Sequence, residues 1–588
     1  MLPSFFSHIS KSLLLGSAVA LIGFGVASHA MAERTDVIHS TSIDSKGFFS
    51  FNLLRSDDSQ ISESMSALLS EGKIDAIRFM DTAEMARFYA SRDGAPVWLD
   101  SRREKAAAAL PYLSAAWTHG LNPVRYHVDE IGTLVNAETP AEKARLELLL
   151  TDAVVRYAHD LTGMRFPANT IRQDPQSWRT PLPPSGILAE LSDANMEGAE
   201  DVRRLMISFA PRDAFYERLR DELVSLVGSP DRKHDEVLPI SLGGALLHPG
   251  EHHSSVPKLR IRFGLTHDPS LGSERKYDDP LAAAVMNFQR QSGLVPDGII
   301  GSQTLGQINR TVTDRIEQII ANMERLRWVE QDKPGKYVLV NIPSATLWAV
   351  ENGDVYAEMP VIVGRPERQT KSFVTNITGV RFNPKWTVPP TIKSEDFLPE
   401  LQEDPQYLVN KGIEVSRLVD GKRETVDSTT IDWTEITPEE LRGLRMTQGS
   451  GDDNALGRIR VLMDNPYDIY LHDTNAPSYF KKFPRTLSSG CVRLSRPEEI
   501  ARFILKDNDG WTDARMSGLI GRGTTSEVSA REPIPVYILY QTIWTDADGD
   551  LVYGADVYRR DKHLIEVMRA QHAYFIPEPD PLRLASVE

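Results

Sequence analysis

The sequence predicts a multi-domain α+β chain, with a helical first part, a small helical unit, and a β-rich last part that carries an insertion. Three observations predict it. Before about residue 235, apolar residues recur at three- and four-residue spacing, whereas β-branched and aromatic runs bounded by turn residues dominate from Tyr337 onward. Between the two lies a compact helical stripe followed by a tight Asp-Gly turn. The length of 588 residues, 41% hydrophobic and 25% charged, corresponds to about three or four domains at roughly 100–200 residues each.

Residues 1–32 read as a processing segment. Lys11 supplies positive charge, Ser12–Ala27 form an apolar run, and Ala30-Met31-Ala32 offers a small-x-small cleavage pattern. The run of about 16 residues is short for a membrane span, which needs roughly 20. A cleaved signal peptide is expected, with an uncleaved N-terminal anchor as the alternative. No cysteine lies near the cleavage site, which excludes a lipoprotein.

Residues 33–238 are expected to be mainly helical. Asp81–Ala90 and Glu104–Thr118 are amphipathic, with Leu110, Leu113 and Trp117 on one face and Gly120 as a stop, while Asp174–Ser185 reads as a loop. A second unit spans 239–312 and a helical linker 313–335. From 336 to 560 the pattern is strands, beginning with a hairpin of Tyr337–Ile342 and Ala345–Val350 and continuing through Val355–Val363. Residues 390–448 are too long for a simple connection between strands and carry helical pieces such as Glu395–Glu403 and Pro438–Arg445, which predicts an insertion. Asp546–Asp550 reads as a hairpin turn rather than a calcium loop, since its glycine is misplaced and flanking helices are lacking. Residues 561–588 read as a tail.

The net charge of −16 argues against a nucleic-acid partner and against broad attachment to anionic lipid, both of which need clustered Lys and Arg. The chain has a single cysteine, Cys491, so its folds rest on their own cores without internal disulfides. A lone exported thiol is a liability unless buried or used. Its surroundings favour use. Tyr470-Leu471-His472-Asp473 precedes Ser488-Ser489-Gly490-Cys491-Val492-Arg493 by a short interval. A thiol attacks as thiolate and needs a base or a cation beside it. His472 can accept its proton, Gly490 lets the backbone turn sharply enough to aim amides at an oxyanion, and Arg493 adds positive potential. Asp473 is tempting as a third member, but adjacent strand residues point to opposite faces.

These residues carry a family resemblance. The segment about 336–560 resembles the L,D-transpeptidase (YkuD-like) catalytic domain, whose motif places a His some 16–20 residues before [ST]-x-G-C-x-R. Phe382-Asn383-Pro384-x-Trp386-x-Val388-Pro389 and Asn454-Ala455-Leu456-Gly457 also match. Many members have His where this chain has Ser489, a departure that marks a subgroup. Residues 281–301, with Ala284, Val285, Phe288, Gly293, Asp297 and Gly298, resemble a three-helix peptidoglycan-binding module. The whole looks like the large multi-domain Gram-negative type: a helical scaffold, that module, and a β-rich catalytic domain with an inserted cap. The resemblance implies a periplasmic enzyme that needs no cofactor and no metal. Cys491 would attack the carbonyl of the third stem residue of a peptidoglycan tetrapeptide, releasing the terminal D-Ala and forming a thioester. His472 would act as base, with the amides of Gly490 and Cys491 as oxyanion donors and Tyr470 as a further candidate. Tyr470, Trp386, Ser489 and Asn454 would line the substrate site, Trp386 having a core role as its alternative. Partners would be stem peptides, with other cell-wall synthesis enzymes as further candidates, and carbapenem β-lactams would acylate Cys491.

Other readings are weaker. Ser255-Val256-Pro257-Lys258 fits S-x-x-K, but Pro257 is expected to interrupt the helix that motif needs, and no K-T-G follows. His248, His252 and His253 lack the carboxylate pattern of a zinc peptidase. The same thiol could instead serve an L,D-carboxypeptidase or attach a protein to the wall. A non-catalytic wall-binding scaffold is the non-enzyme alternative.

Overall fold

The computed structural model describes residues 57–578 apart from 100–103, 175, 195, 230–231 and 233–238. The expected signal segment and the last ten residues of the expected tail lie outside the described residues. Local signals place the helices of the first part. The Asp81 carboxylate accepts the Glu84 amide and starts the helix Thr82–Ala90, and Thr139 with Glu142 forms a capping box that starts Pro140–Leu161. That long helix is buried on nearly every side, even at Glu147 and Asp152, because both carboxylates are satisfied. Glu147 accepts the amides of Val97 and Trp98 and the Tyr89 hydroxyl, while Asp152 meets His127 and Arg156. The stretch Glu104–Ser114 is α-helix and continues as a 3₁₀ turn, Ala115–His119, which Gly120 ends at φ 67°.

The second unit holds the helices Val256–Arg262, Asp279–Gln291 and Ser302–Ile308 around a core of Leu247, Val256, Leu259, Leu281, Val285 and Ile300. Buried Gln289 closes the Asp-Gly turn: its amide group donates to the Ile299 carbonyl and Asp297, and its oxygen accepts the Gly298 amide. Pro257 does not interrupt its helix. It lies in the first turn, where a missing N–H costs nothing. What disqualifies Ser255 as a nucleophile is that its hydroxyl is buried and donates to the Ser241 carbonyl.

The strands of the last part are β1 (Lys336–Asn341), β2 (Thr346–Glu351), β3 (Asp354–Gly364), β4 (Phe373–Phe382), β5 (Trp386–Thr387), β6 (Ile413–Val419), β7 (Lys422–Val426), β8 (Arg445–Gln448), β9 (Ile459–Met463), β10 (Leu471–His472), β11 (Thr486–Ser488), β12 (Val492–Leu494), β13 (Ser526–Leu539), β14 (Ile543–Thr545) and β15 (Leu551–Tyr553). The main sheet runs β11-β3-β12-β10-β9-β4-β13-β1-β2, and β2 also pairs with β3, so all but β11 close into a ring. Val338, Val340, Val361, Ile377, Val461, Leu471 and Val492 fill its apolar core together with the helix Pro497–Leu505. β14 and β15 form the expected hairpin, in which Asp546 accepts the amides of Asp548 and Asp550.

Three expectations need correction. The insertion 390–448 is more than helical pieces: β5, β8, β6 and β7 form, in that order, a separate antiparallel sheet, and Leu401, Leu408, Val415, Trp433 and Met446 give it its own core. The expected helical linker 313–335 is helical over most of its length but is not a free connection. Its helix, Val312–Trp328, is buried between Phe215 and Leu219 of the first part and Trp348, Tyr537 and Leu539 of the sheet. The expected tail begins with a helix, Arg560–Ala570, docked on that same helix, where Arg325 donates to Asp561 at 2.5 Å.

Candidate active site

β10 and β12 run parallel, with Leu471 beside Val492 and His472 beside Arg493, and β9 is antiparallel to β10 with Arg460 beside His472. Leu471 and Val492 face the core. By alternation, His472, Arg493, Arg460 and Tyr470 share the opposite face, and Cys491, one residue before β12, comes up beside Tyr470. The ring of Tyr470 is edge-on to His472 at 5.7 Å, and the Arg460 guanidinium sits 3.9 Å from the Tyr470 centroid.

His472 is buried, and its Nδ1 donates to the Asp473 carbonyl at 2.5 Å, which leaves Nε2 as the proton acceptor. The group that orients the imidazole is therefore the backbone carbonyl of Asp473. The Asp473 carboxylate accepts the amides of Arg458 and Thr474 instead, and thereby fixes the turn. Gly457, at φ 60°, makes room for it, since a Cβ there would lie 2.3 Å from the carboxylate. Burial, then Arg493, lowers the His472 pKa to about 3, with Arg460 acting in the same direction and the Asp473 carbonyl opposing.

The half-buried Cys491 thiol donates to the Asp468 carbonyl at 3.6 Å. Burial pushes its pKa up, against the Tyr470 backbone amide and the charges of Arg460 and Arg493. The resting pair is therefore thiol and imidazole, both uncharged. Burial, then the neighbouring thiol, holds the Tyr470 hydroxyl above its ordinary pKa. Arg460 and Arg493 each bury an Nε that has no hydrogen-bond partner, and neither has a carboxylate in ion-pair range among the described residues. Two such guanidiniums on one face suit a substrate carboxylate.

Gly490 stands at φ 120°, a conformation that strongly favours glycine. Its N–H donates to Ser488 Oγ at 3.2 Å, and Ser488 Oγ donates to the Cys491 carbonyl. The expectation of two oxyanion amides is thus halved. Gly490 N–H is engaged, and the Cys491 amide, which has no partner among the described residues, is the donor that stays open. The Gly490 carbonyl is held by buried Thr370, whose hydroxyl donates to it at 2.7 Å and accepts the Gly364 amide at 2.8 Å.

The remaining expected site residues fall elsewhere. Ser489 Oγ accepts from Arg368, which also binds Asp396 and Glu395 of the insertion, so this serine is tied to the cap. Asn454 is 1% exposed, and its side chain is spent on the carbonyls of Pro384 and Gly449 and the Leu456 amide. It staples a loop and stands in the wall of a cavity beneath the cap. Trp386 packs edge-on against Phe397 of the cap and borders a cavity of about 540 Å³ between the cap and residues 448–455; Cys491 is not among that cavity's walls. Sequence reading named Ser488 as part of the motif but gave it no role, and it missed Arg460, Thr370, Arg368 and Asp468. Only Ser488, three residues before the thiol, carried a local signal; the others lie far away in the chain or depend on a backbone atom.

Residues 335–538 match the L,D-transpeptidase catalytic domain (YkuD), 83–223 a "Scaffold domain" and 261–308 a "Putative peptidoglycan binding domain". A Haemophilus influenzae protein named "Putative L,D-transpeptidase" is 33% identical over 248 residues, 42% of this chain and 49% of that protein. The match thus spans about half the length of that relative. Among solved structures, an L,D-transpeptidase from Stackebrandtia nassauensis aligns over 50% of this chain and 97% of its own, at 13% identity and a TM-score of 0.19. L,D-transpeptidase 3 from Mycobacterium tuberculosis aligns over 35% and 61%, at 13% identity and a TM-score of 0.18.

Proposed function

With an L,D-transpeptidase catalytic domain over residues 335–538 as the premise, we propose that this protein is an exported, wall-associated peptidoglycan L,D-transpeptidase that works through a Cys491 thioester. The observation that carries the reading is the orientation of His472. Its Nδ1–H is locked on the Asp473 carbonyl, so a neutral imidazole presents a free Nε2 on the face where Cys491 emerges. Both groups rest uncharged, so the thiol leaves the Asp468 carbonyl and gives its proton to Nε2 as its sulfur bonds to the donor carbonyl carbon. The Cys491 amide receives the developing oxyanion. The C–N bond to the terminal D-Ala breaks, and the imidazolium returns the proton to the leaving amine. An acceptor stem amine then attacks the thioester, His472 takes its proton, a new amide forms and the thiol is restored, which gives a 3-3 cross-link. Arg460 and Arg493 hold the donor's terminal carboxylate until D-Ala departs. The module matched over 261–308 supports a hold on the wall itself.

The test is mass spectrometry of products formed from purified tetrapeptide muropeptides, beside a Cys491→Ala control. A dimer joined between third stem residues, absent from the control, is expected. Release of D-Ala with tripeptide monomer alone would assign an L,D-carboxypeptidase. No thiol-dependent product from folded protein would overturn the enzymatic reading in favour of a wall-binding scaffold.

A further inference from the structure

Far from the thiol in sequence, four cations converge on one cavity of about 310 Å³ at the seam between the helical part and the catalytic domain. Arg172 comes from a loop of the helical part, Lys371 from the loop between β3 and β4, and Arg559 and Arg560 from the start of the last helix. Glu367 is the one acidic residue in the wall. Arg172, Lys371 and Arg559 have no hydrogen-bonded or ion-paired side-chain partner among the described residues. Arg560 is held only by neutral acceptors: Ser372 Oγ at 2.7 Å, the Thr370 carbonyl at 2.8 Å and Gln369 Oε1 at 3.2 Å. Its guanidinium also lies against the rings of Tyr540 and Tyr558, at 4.8 and 5.0 Å. Asp556, the nearby acid, is spent on the Tyr540 hydroxyl and on the amides of Arg560 and Lys562.

Arg172, Lys371 and Arg559 carry exposed side chains and Arg560 is half-buried, so the four line a solvent-open concavity of one sign, which focuses its field on an incoming counter-ion. Arg172 and Arg559 also stand at φ 56° and 57°, a conformation that L side chains seldom adopt. The chain has 82 acidic residues against 66 Lys and Arg, so carboxylates are not scarce, yet none among the described residues forms an ion pair with these side chains. The walls are fixed as well: His563 reaches across the seam to the Thr170 carbonyl at 2.9 Å. We propose that this pocket is a binding site for a small multivalent anion, one that presents clustered phosphate or carboxylate oxygens to Arg172, Lys371, Arg559 and Arg560. The site is separate from the Cys491 face. It touches the same loop, however, since Thr370, which holds the Gly490 carbonyl, lies between Gln369 and Lys371.

The test is calorimetric titration of the purified protein with tripolyphosphate and, separately, with a triglutamate peptide at physiological salt. One-to-one saturable binding of either is expected. Binding of tripolyphosphate alone would assign a phosphate ligand, and binding of the peptide alone an acidic peptide. The double variant Arg172→Gln/Lys371→Gln should bind about tenfold more weakly or worse, since charge-assisted hydrogen bonds of this kind are each worth roughly that factor. Glu367→Gln should bind more tightly, a direction that a folding defect cannot imitate. No saturable binding of either anion, or binding that both variants leave unchanged, would overturn the proposal.

Discussion

Thr370→Val isolates how the Cys491 turn is held. Valine matches threonine in shape, so the buried site keeps its packing and loses only the hydroxyl. That hydroxyl makes two bonds, to the Gly490 carbonyl at 2.7 Å and from the Gly364 amide at 2.8 Å. Both backbone groups are buried, so the variant leaves two polar groups without a partner. At about 1–3 kcal/mol for each, the cost is about 2–6 kcal/mol, borne by a turn that already stands at φ 120°. The turn relieves that cost by shifting, and a displacement of the nucleophile by about 1 Å is worth roughly a hundredfold in rate. The assay is the steady-state release of D-Ala from a tetrapeptide substrate, with thermal melting alongside. The expected result is a fall in kcat of about a hundredfold, with the protein still folded and with most activity restored in Thr370→Ser. A folded Thr370→Val protein with wild-type kcat would refute the argument that this hydroxyl positions the thiol.

The other predictions concern charge. His119 and His472 are both buried with pKa lowered to about 3, against roughly 6.5 unfolded, so the unfolded chain binds more protons and stability falls as pH drops through that window. Each should cost about 2 kcal/mol between pH 7 and pH 5, and urea unfolding of His472→Gln should show a smaller loss than wild type; an equal loss would contradict it. Because burial raises the thiol pKa and keeps the imidazole neutral, alkylation of Cys491 should rise with a midpoint above roughly 8.5 and show no step near 6.5. A rate flat from pH 5 to 8 would indicate a thiolate–imidazolium pair instead. Arg460→Gln should lower kcat/KM about tenfold for a stem with a free terminal carboxylate and leave an amidated stem nearly unchanged, with equal losses counting against the carboxylate role. Intact mass should show a carbapenem adduct on wild type and none on Cys491→Ala.

Much of this protein could be read from its sequence because the signals were local. Apolar spacing and caps such as Asp81 and Thr139 set helices through bonds made within a few residues. The Gln289–Gly298 contact closes a turn across nine positions, and the short interval from His472 to Cys491 brings base and nucleophile to adjacent strands. What only the tertiary structure decided depends on segments far apart in the chain. Thr370 reaches Gly490 from 120 residues away, and Arg460 joins the site because β9 pairs with β10. The insertion is a folded sheet because β5 and β8 at its two ends pair, a partnership that no local period announces. The sequence likewise announced a helix over 313–335 but not its burial, because the surroundings of Val312–Trp328 come from both neighbouring domains. Backbone atoms were the last to be legible. The Asp473 carbonyl that orients His472 and the engaged Gly490 amide belong to every residue type alike, so only three-dimensional placement tells them apart.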